Sequence, residues 1–143
     1  MKLQTASETI SFIRELEEKS AQFYEKLAEK FPEKREEFLS FVKENQKYIK
    51  QIQMAYQSVI TDAIEGCYAF ALESDIYTFD IDLSDKVSLA DAVKKCLEIE
   101  KKIIECYTKG AEQSGSLLAD IPRNFKIVVK KRNNRIEKLK SYL

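Results

Sequence analysis

The sequence predicts an all-α fold, a four-helix bundle in which two helical hairpins are joined by a long crossover. Apolar residues recur at intervals of three and four over four long segments, which is the period of one face of an α-helix. The 143 residues include only 3 glycines and 2 prolines, too few for the turns of a many-stranded fold. The first half of the chain is also echoed in the second, and we expect one domain over residues 1–143.

The first hairpin is predicted over residues 5–65. Its first helix opens with the capping-box pattern Thr5–Glu8, in which each of the two side chains can bond a free backbone N–H of the other. The apolar seam of this helix continues to about Lys30. Pro32 then breaks the pattern and can occupy the first turn of a second helix, which runs towards Gly66.

Residues 66–87 form the predicted crossover, because aromatic and acidic residues alternate there as in an extended chain. A connection of this length joins distant ends, and we therefore expect the second and third helices to be parallel neighbours. Asp80, Asp82 and Ser84 resemble the start of a calcium loop. Asp85 and Asp91 stand where that loop needs Gly and Glu, so a capped, solvated connector is favoured over a calcium site.

The second hairpin is predicted over residues 88–143. Ser88–Asp91 is another capping-box pattern, and the helix that it opens fades over Gly110–Gly115. The fourth helix begins near Asp120 and Pro122 and continues to the C-terminus.

An internal repeat relates the two hairpins. A shift of 83 residues places the first helix on the third with identities at Glu15/Glu98, Glu17/Glu100, Lys19/Lys102, Tyr24/Tyr107, Lys26/Lys109, Ala28/Ala111 and Glu29/Glu112. A shift of 87 residues places the second helix on the fourth, so that Phe38 meets Phe125 and Ile49 meets Ile136. The difference between the shifts falls in a loop, where insertions are tolerated.

Composition excludes several classes of function. Lys plus Arg and Asp plus Glu both number 24, and this zero net charge gives no electrostatic attraction to nucleic acid or to an anionic membrane. The basic stretch of the fourth helix is better explained as a solvated face or a protein contact. No histidine is present, which excludes imidazole acid–base catalysis, a Ser-His-Asp triad and a His-ligated metal.

Compartment and thiol chemistry follow from the same survey. No apolar leader and no span-length apolar run occurs in the sequence, and we expect a cytoplasmic protein with reduced thiols. The cysteines Cys67, Cys96 and Cys106 lack CxxC spacing. Cys67, beside the end of the second helix, is the one candidate for a redox-reactive thiol.

Two carboxylates interrupt the apolar seams. Glu17 lies on the seam of the first helix, and its repeat partner Glu100 lies on the seam of the third. A buried carboxylate is costly unless it is paired with a cation or binds a metal. Tyr24 and Tyr107 follow the two glutamates by two turns, and packing is the expected role of both rings.

The stretch ELEEKSAQFYEKLAE and its echo CLEIEKKIIECYTKGAE resemble the repeated Glu…Tyr helix of rubrerythrin-like proteins in the ferritin-like superfamily. The resemblance implies a ferritin-like bundle in which each hairpin gives a Glu from its first helix and a Glu-x-x-His from its second, and these hold two iron ions. Glu17 and Glu100 match the first-helix ligands. The Glu-x-x-His positions hold Asn45 and Tyr48 in the second helix, and Arg132 and Arg135 in the fourth, so the resemblance implies a degenerate di-iron site.

We hypothesise that Arg132 and Arg135 occupy the former metal cavity and neutralise Glu17 and Glu100, because a guanidinium meets a carboxylate through two parallel bonds and keeps its proton. Asn45 and the hydroxyl of Tyr48 would complete the hydrogen bonds. The alternative is a rotated or frayed fourth helix whose arginines face water.

Two functions remain open from the sequence. The first is a non-catalytic structural or protein-interaction module, a homodimer without cofactor. The second is a metal-binding protein or oxidoreductase that keeps iron or another divalent metal at Glu17 and Glu100, with Tyr48 as a further oxygen ligand. A small-ligand pocket in the vacated core is a third possibility.

Overall fold

The computed structural model describes residues 1–59, 69–115 and 120–143. Four α-helices lie in these ranges: α1 (Ala6–Lys30), α2 (Arg35–Val59), α3 (Leu89–Ser114) and α4 (Asp120–Lys140). The prediction of an all-α bundle is confirmed at this level. Cys67 and the predicted end of the second helix near Gly66 lie outside the described residues.

The helix starts follow the signals in the sequence. At the start of α1 the N–H of Glu8 donates to Thr5 Oγ1 at 3.1 Å, and the N–H of Thr5 donates to Glu8 Oε1 at 3.1 Å, which completes the capping box. Before α3 the hydroxyl oxygen of Ser88 accepts from the N–H of Asp91 at 3.1 Å. A 3₁₀ turn over Pro32–Lys34 links α1 to α2.

The helices pack as two hairpins, α1 on α2 and α3 on α4, which join through α2 with α4 and α1 with α3. Helices α2 and α3 are therefore diagonal to each other, and the expectation that they are neighbours is wrong. The reason is the path of the crossover, which lies along α1 and delivers the chain to the far end of the bundle. As a result α3 runs antiparallel to α1.

Contacts along the crossover trace this path. The strand β1 (Lys2–Leu3) pairs antiparallel with β2 (Leu72–Glu73) beside the start of α1, and a 3₁₀ turn follows over Ser74–Tyr77. From there the ammonium groups of Lys26 and Lys30 donate to the carbonyl oxygens of Ile81 and Asp85 at 3.2 and 2.8 Å.

Lysines related by the repeat hold the middle of the crossover. Lys19 on α1 donates to the carbonyl oxygen of Phe79, and Lys102 on α3 donates to that of Thr78 at 2.7 Å. Lys19 and Lys102 occupy equivalent positions of the repeat and bind carbonyl oxygens of adjacent residues. These two contacts hold the crossover over the groove between α1 and α3.

The calcium-like acids lie on this crossover. Asp80 Oδ1 accepts from Lys95 Nζ at 2.6 Å and from the N–H of Asp82 at 3.0 Å. Lys95 thus neutralises Asp80, the first acid of the calcium-like stretch. In the three described ranges, none of the helices combines the length and apolar character needed to cross a bilayer.

Candidate functional site

Among the residues that the structure describes, four charged side chains lie inside the bundle. Glu17 on α1, Glu100 on α3 and Arg132 on α4 are 0% exposed, and Arg135 on α4 is 2% exposed. These positions lie on the same helix faces as the apolar seams, and those faces turn towards the core because burial of the apolar residues stabilises each helix. The burial of both arginines rules out the alternative in which α4 turns them towards water. We call these four residues the ionic cluster.

Arg132 joins the two glutamates. Its Nη1 lies 2.6 Å from Glu100 Oε2, and its Nη2 pairs with Glu17 Oε1. One guanidinium thus bridges carboxylates from the two halves of the repeat, whereas the sequence-based hypothesis was only that Arg132 and Arg135 together neutralise Glu17 and Glu100. The planar fork of arginine suits this role because its N–H groups diverge in one plane.

Arg135 completes the charge balance from the next turn of α4. Its Nη1 lies 3.1 Å from Glu100 Oε1. Its Nη2 donates to the carbonyl oxygen of Phe41 at 3.3 Å and lies 3.4 Å from Glu44 Oε1. Its guanidinium carbon is 4.8 Å from the centre of the Phe41 ring, a distance at which cation–π attraction contributes. The four buried charges sum to zero.

The tyrosines exchange hydrogen bonds between the hairpins. Tyr24 on α1 donates to Glu100 Oε1 at 2.7 Å, and Tyr107 on α3 donates to Glu17 Oε2 at 3.1 Å. Each tyrosine follows the glutamate of its own helix by seven residues, or about 10 Å. Because α1 and α3 are antiparallel, each hydroxyl lies level with the glutamate of the opposite helix.

The predicted packing role of Tyr24 and Tyr107 is confirmed, because both rings are buried and lie 5.2 and 5.1 Å from the rings of Phe41 and Phe125. The hydrogen bonds are a second role that the sequence interpretation did not include. The signal in the sequence was the equal Glu-to-Tyr spacing in both repeats, and it becomes interpretable once α1 and α3 are known to be antiparallel.

Asn45 and Tyr48 lie on the inward face of α2 but do not complete the carboxylate bonding, and that expectation is wrong. Asn45 Nδ2 donates to the backbone carbonyl oxygen of Glu17 at 3.2 Å, and the Tyr48 hydroxyl makes no hydrogen bond of good geometry. The ring of Tyr48 instead faces the guanidinium carbons of Arg132 and Arg135 at 5.3 and 5.5 Å. The aromatic face therefore stabilises positive charge in place of the predicted hydroxyl contact.

Burial sets the protonation of the cluster. It raises the pKa of Glu100, while Arg135 and the hydrogen bond from Tyr24 oppose that shift. Burial and the negative charge of Glu100 raise the pKa of Tyr24 well above its usual value, so its hydroxyl remains a donor. Burial and the charge of Arg135 lower the pKa of Arg132, but the two carboxylates in contact with it favour its charged form.

The residues present do not fit a di-iron centre. The guanidinium of Arg132 lies between Glu17 and Glu100, and that of Arg135 lies on the outer side of Glu100. Each glutamate is therefore paired with at least one guanidinium group of the protein itself. Within the described ranges, no three His, Cys, Asp or Glu side chains converge as a metal site would require.

The described thiols are not activated. Cys96 and Cys106 are both fully buried. Burial raises the pKa of Cys96 far above its usual value and that of Cys106 to about 12. Since the thiolate is the reactive form, both side chains act as packing residues.

The sequence matches no known family model, and no curated protein or solved structure is significantly similar to it.

Proposed function

We propose that this chain is a ferritin-like bundle, related to rubrerythrins, in which an ionic cluster has replaced the di-iron centre. In this proposal it acts as a non-catalytic structural or protein-interaction module that needs no metal. The observation that carries the proposal is the contact of Arg132 with both Glu17 and Glu100. A cation of the protein lies where the resemblance would place a metal ion between these carboxylates.

The chemistry of the cluster supports a structural role. General acid–base catalysis works best with a group that titrates near the operating pH and can reach a substrate. The pKa of Tyr24 is raised well above its usual value, and that of Arg135 is raised by Glu100 although burial lowers it. Both groups keep their protons at neutral pH, and both are nearly fully buried.

Metal analysis tests this proposal. Protein purified without chelators and then incubated with Fe²⁺, Mn²⁺ or Zn²⁺ should contain far less than one equivalent of metal after desalting. Stoichiometric metal that disappears in the E17A/E100A variant would instead establish the retained-site alternative, a metal-binding protein or oxidoreductase.

A reconstituted variant tests the ferritin-like origin. The substitutions N45E, Y48H, R132E and R135H restore a Glu-x-x-His pair on α2 and on α4. Variant protein that retains its helical circular dichroism should bind two Co²⁺ ions per chain, with the absorption bands of carboxylate–histidine coordination. The matched control N45E/Y48H keeps both arginines and should bind none. A folded reconstituted variant without metal affinity would argue against this origin.

The quaternary part of the proposal is a homodimer, because bundles of this type often bury a helix face between subunits. Sedimentation velocity over a hundredfold concentration range should give the mass of two 16.6 kDa chains. A monomer at every concentration would refute the dimer and leave the proposed loss of the metal centre unaffected.

A further inference from the structure

A cleft of about 350 Å³ opens to solvent between α2 and α4, on the outer side of the ionic cluster. Its lining combines one aromatic ring, one carboxylate and several cationic or amide groups: Phe41, Glu44, Lys131, Asn134, Arg135 and Lys138. Arg135 is the one member shared with the ionic cluster, and its 2% exposure places it at the floor.

Arg135 has spare donor capacity. A guanidinium carries five N–H groups, and Nη1 of Arg135 is directed to Glu100. Nη2 makes two long contacts, at 3.3 Å to the carbonyl oxygen of Phe41 and 3.4 Å to Glu44 Oε1, and buried Nε has no hydrogen-bond partner. Arg132 also has a buried Nε without a partner, but each of its Nη groups is paired with a carboxylate.

Glu44 can turn away from Arg135. Its side chain is 39% exposed, so water can solvate the carboxylate when it turns outwards. The side chain of Arg135 is 1% exposed, and it keeps Glu100 as a counter-charge when Glu44 leaves. The four charges of the ionic cluster already sum to zero without Glu44. The buried site therefore stays neutral when Glu44 turns outwards, and the charge of an entering anion has to be balanced at the rim of the cleft.

The rim of the cleft is cationic. Lys131 and Lys138 flank Arg135 on the same face of α4, four residues before it and three after. Among the described residues, neither ammonium group lies within ion-pair distance of a carboxylate. Glu44 supplies one negative charge against these two lysines, which leaves an excess positive charge at the mouth.

We propose that this cleft binds a phosphate group, with Lys131, Lys138 and Arg135 as its cationic ligands and Glu44 as the internal anion that it displaces. The Asn134 amide is a further donor, and the ring of Phe41 offers an apolar surface to the rest of a phosphorylated small molecule. The cleft is large enough for such a ligand, since small-molecule sites begin at roughly 300 Å³. This inference is independent of the proposed loss of the metal centre, because it concerns a cleft on the outer surface of the bundle.

Two-dimensional ¹⁵N–¹H NMR titration with inorganic phosphate, at ionic strength held constant with NaCl, tests the site. Saturable shifts should appear at the amides of Lys131, Asn134 and Arg135. The E44Q variant should bind more tightly because its competing charge is gone, and K131Q/K138Q should bind roughly fivefold more weakly or worse. The matched control K126Q/K130Q removes two other exposed lysines of α4 and should bind like the wild type.

A parallel titration with phenyl phosphate distinguishes the source of the phosphate group. Tighter binding than inorganic phosphate, with shifts at Phe41, supports a phosphorylated organic molecule. Equal affinity without those shifts supports free phosphate. Absence of saturable binding in both the wild type and E44Q would overturn the proposal, and so would equal weakening in the two lysine double variants.

Discussion

Removal of Arg132 tests whether the ionic cluster holds the bundle together. The substitution R132M keeps an unbranched side chain of similar reach but removes the charge that bridges Glu17 and Glu100. Glu100 retains Arg135 and Tyr24, whereas Glu17 retains only the hydrogen bond from Tyr107 among the contacts of its carboxylate described above. The net charge of the ionic cluster falls from 0 to −1.

The expected cost follows from this imbalance. Removal of one partner from a buried ion pair costs about 3–5 kcal/mol, because a charge remains without compensation. We expect R132M to lose this amount in the free energy of unfolding. The double variant E17Q/R132M restores neutrality and keeps an amide oxygen to accept from Tyr107. This double variant should recover at least about 1–2 kcal/mol of the loss, which is the usual size of a coupling energy between contacting residues.

Urea unfolding followed by far-ultraviolet circular dichroism measures these differences as shifts in the midpoint at unchanged slope. R123M is the matched control, because Arg123 also lies on α4 but its side chain is 70% exposed. Its stability should stay within about 0.5 kcal/mol of the wild type. An R132M variant within about 1 kcal/mol of the wild type would refute the reasoning, and so would an E17Q/R132M variant no more stable than R132M.

Three further predictions address other parts of the structure. Y107F removes a buried hydroxyl that donates to a carboxylate and should cost about 1.5–3 kcal/mol in the same urea experiment. G110A places a Cβ 2.9 Å from the ring of Phe125. The cost of overpacking, about 1–3 kcal/mol, should exceed the gain of about 1 kcal/mol in helix propensity, so this variant should be less stable. The control G115A meets only ordinary van der Waals contacts and should not be destabilised. The N–H groups of Thr5 and Gln4 lower the pKa of Glu8 in the folded protein below 4.5, its ordinary value. The hydrogen bonds to the Glu8 carboxylate therefore stabilise the folded protein above pH 4.5. This stabilisation is lost as the pH falls through the lower pKa that Glu8 has in the folded protein. Thermal unfolding should therefore show E8Q less stable than the wild type at pH 7, and the two melting temperatures should converge in acid.

Much of the helical architecture was predictable because its signals are local. A capping box depends on residues three apart, and an apolar seam depends on a fixed helical period, so the start of α1 at Ala6 and that of α3 at Leu89 could be placed within a residue or two. The same period placed Glu17, Glu100, Arg132 and Arg135 on inward faces. The hypothesis that the arginines neutralise the acids followed from charge, because buried ions are stable only when their charges balance.

The neighbour relations of the helices depended on the path of the crossover. Periodicity describes one helix at a time, and it did not reveal that lysines of both repeats bind crossover carbonyls and direct the chain along α1. The expectation that α2 and α3 are neighbours failed for this reason. The predicted roles of Asn45 and Tyr48 were wrong for a related reason. Distances of a few ångströms decide whether a tyrosine presents its hydroxyl or its ring face to a charged neighbour, and the sequence does not give such distances.

The sequence by itself placed Glu17 and Glu100 on the apolar seams of a helical bundle, because the helical repeat fixes those positions, and it left open whether Arg132 and Arg135 face the core or water. Only the tertiary structure decided which groups meet. The antiparallel arrangement of α1 and α3 brings Tyr24 to Glu100 and Tyr107 to Glu17, and the packing of α4 brings Arg132 between both acids. Hydrogen bonds and ion pairs act over about 3 Å, so the relative placement of whole helices decides them.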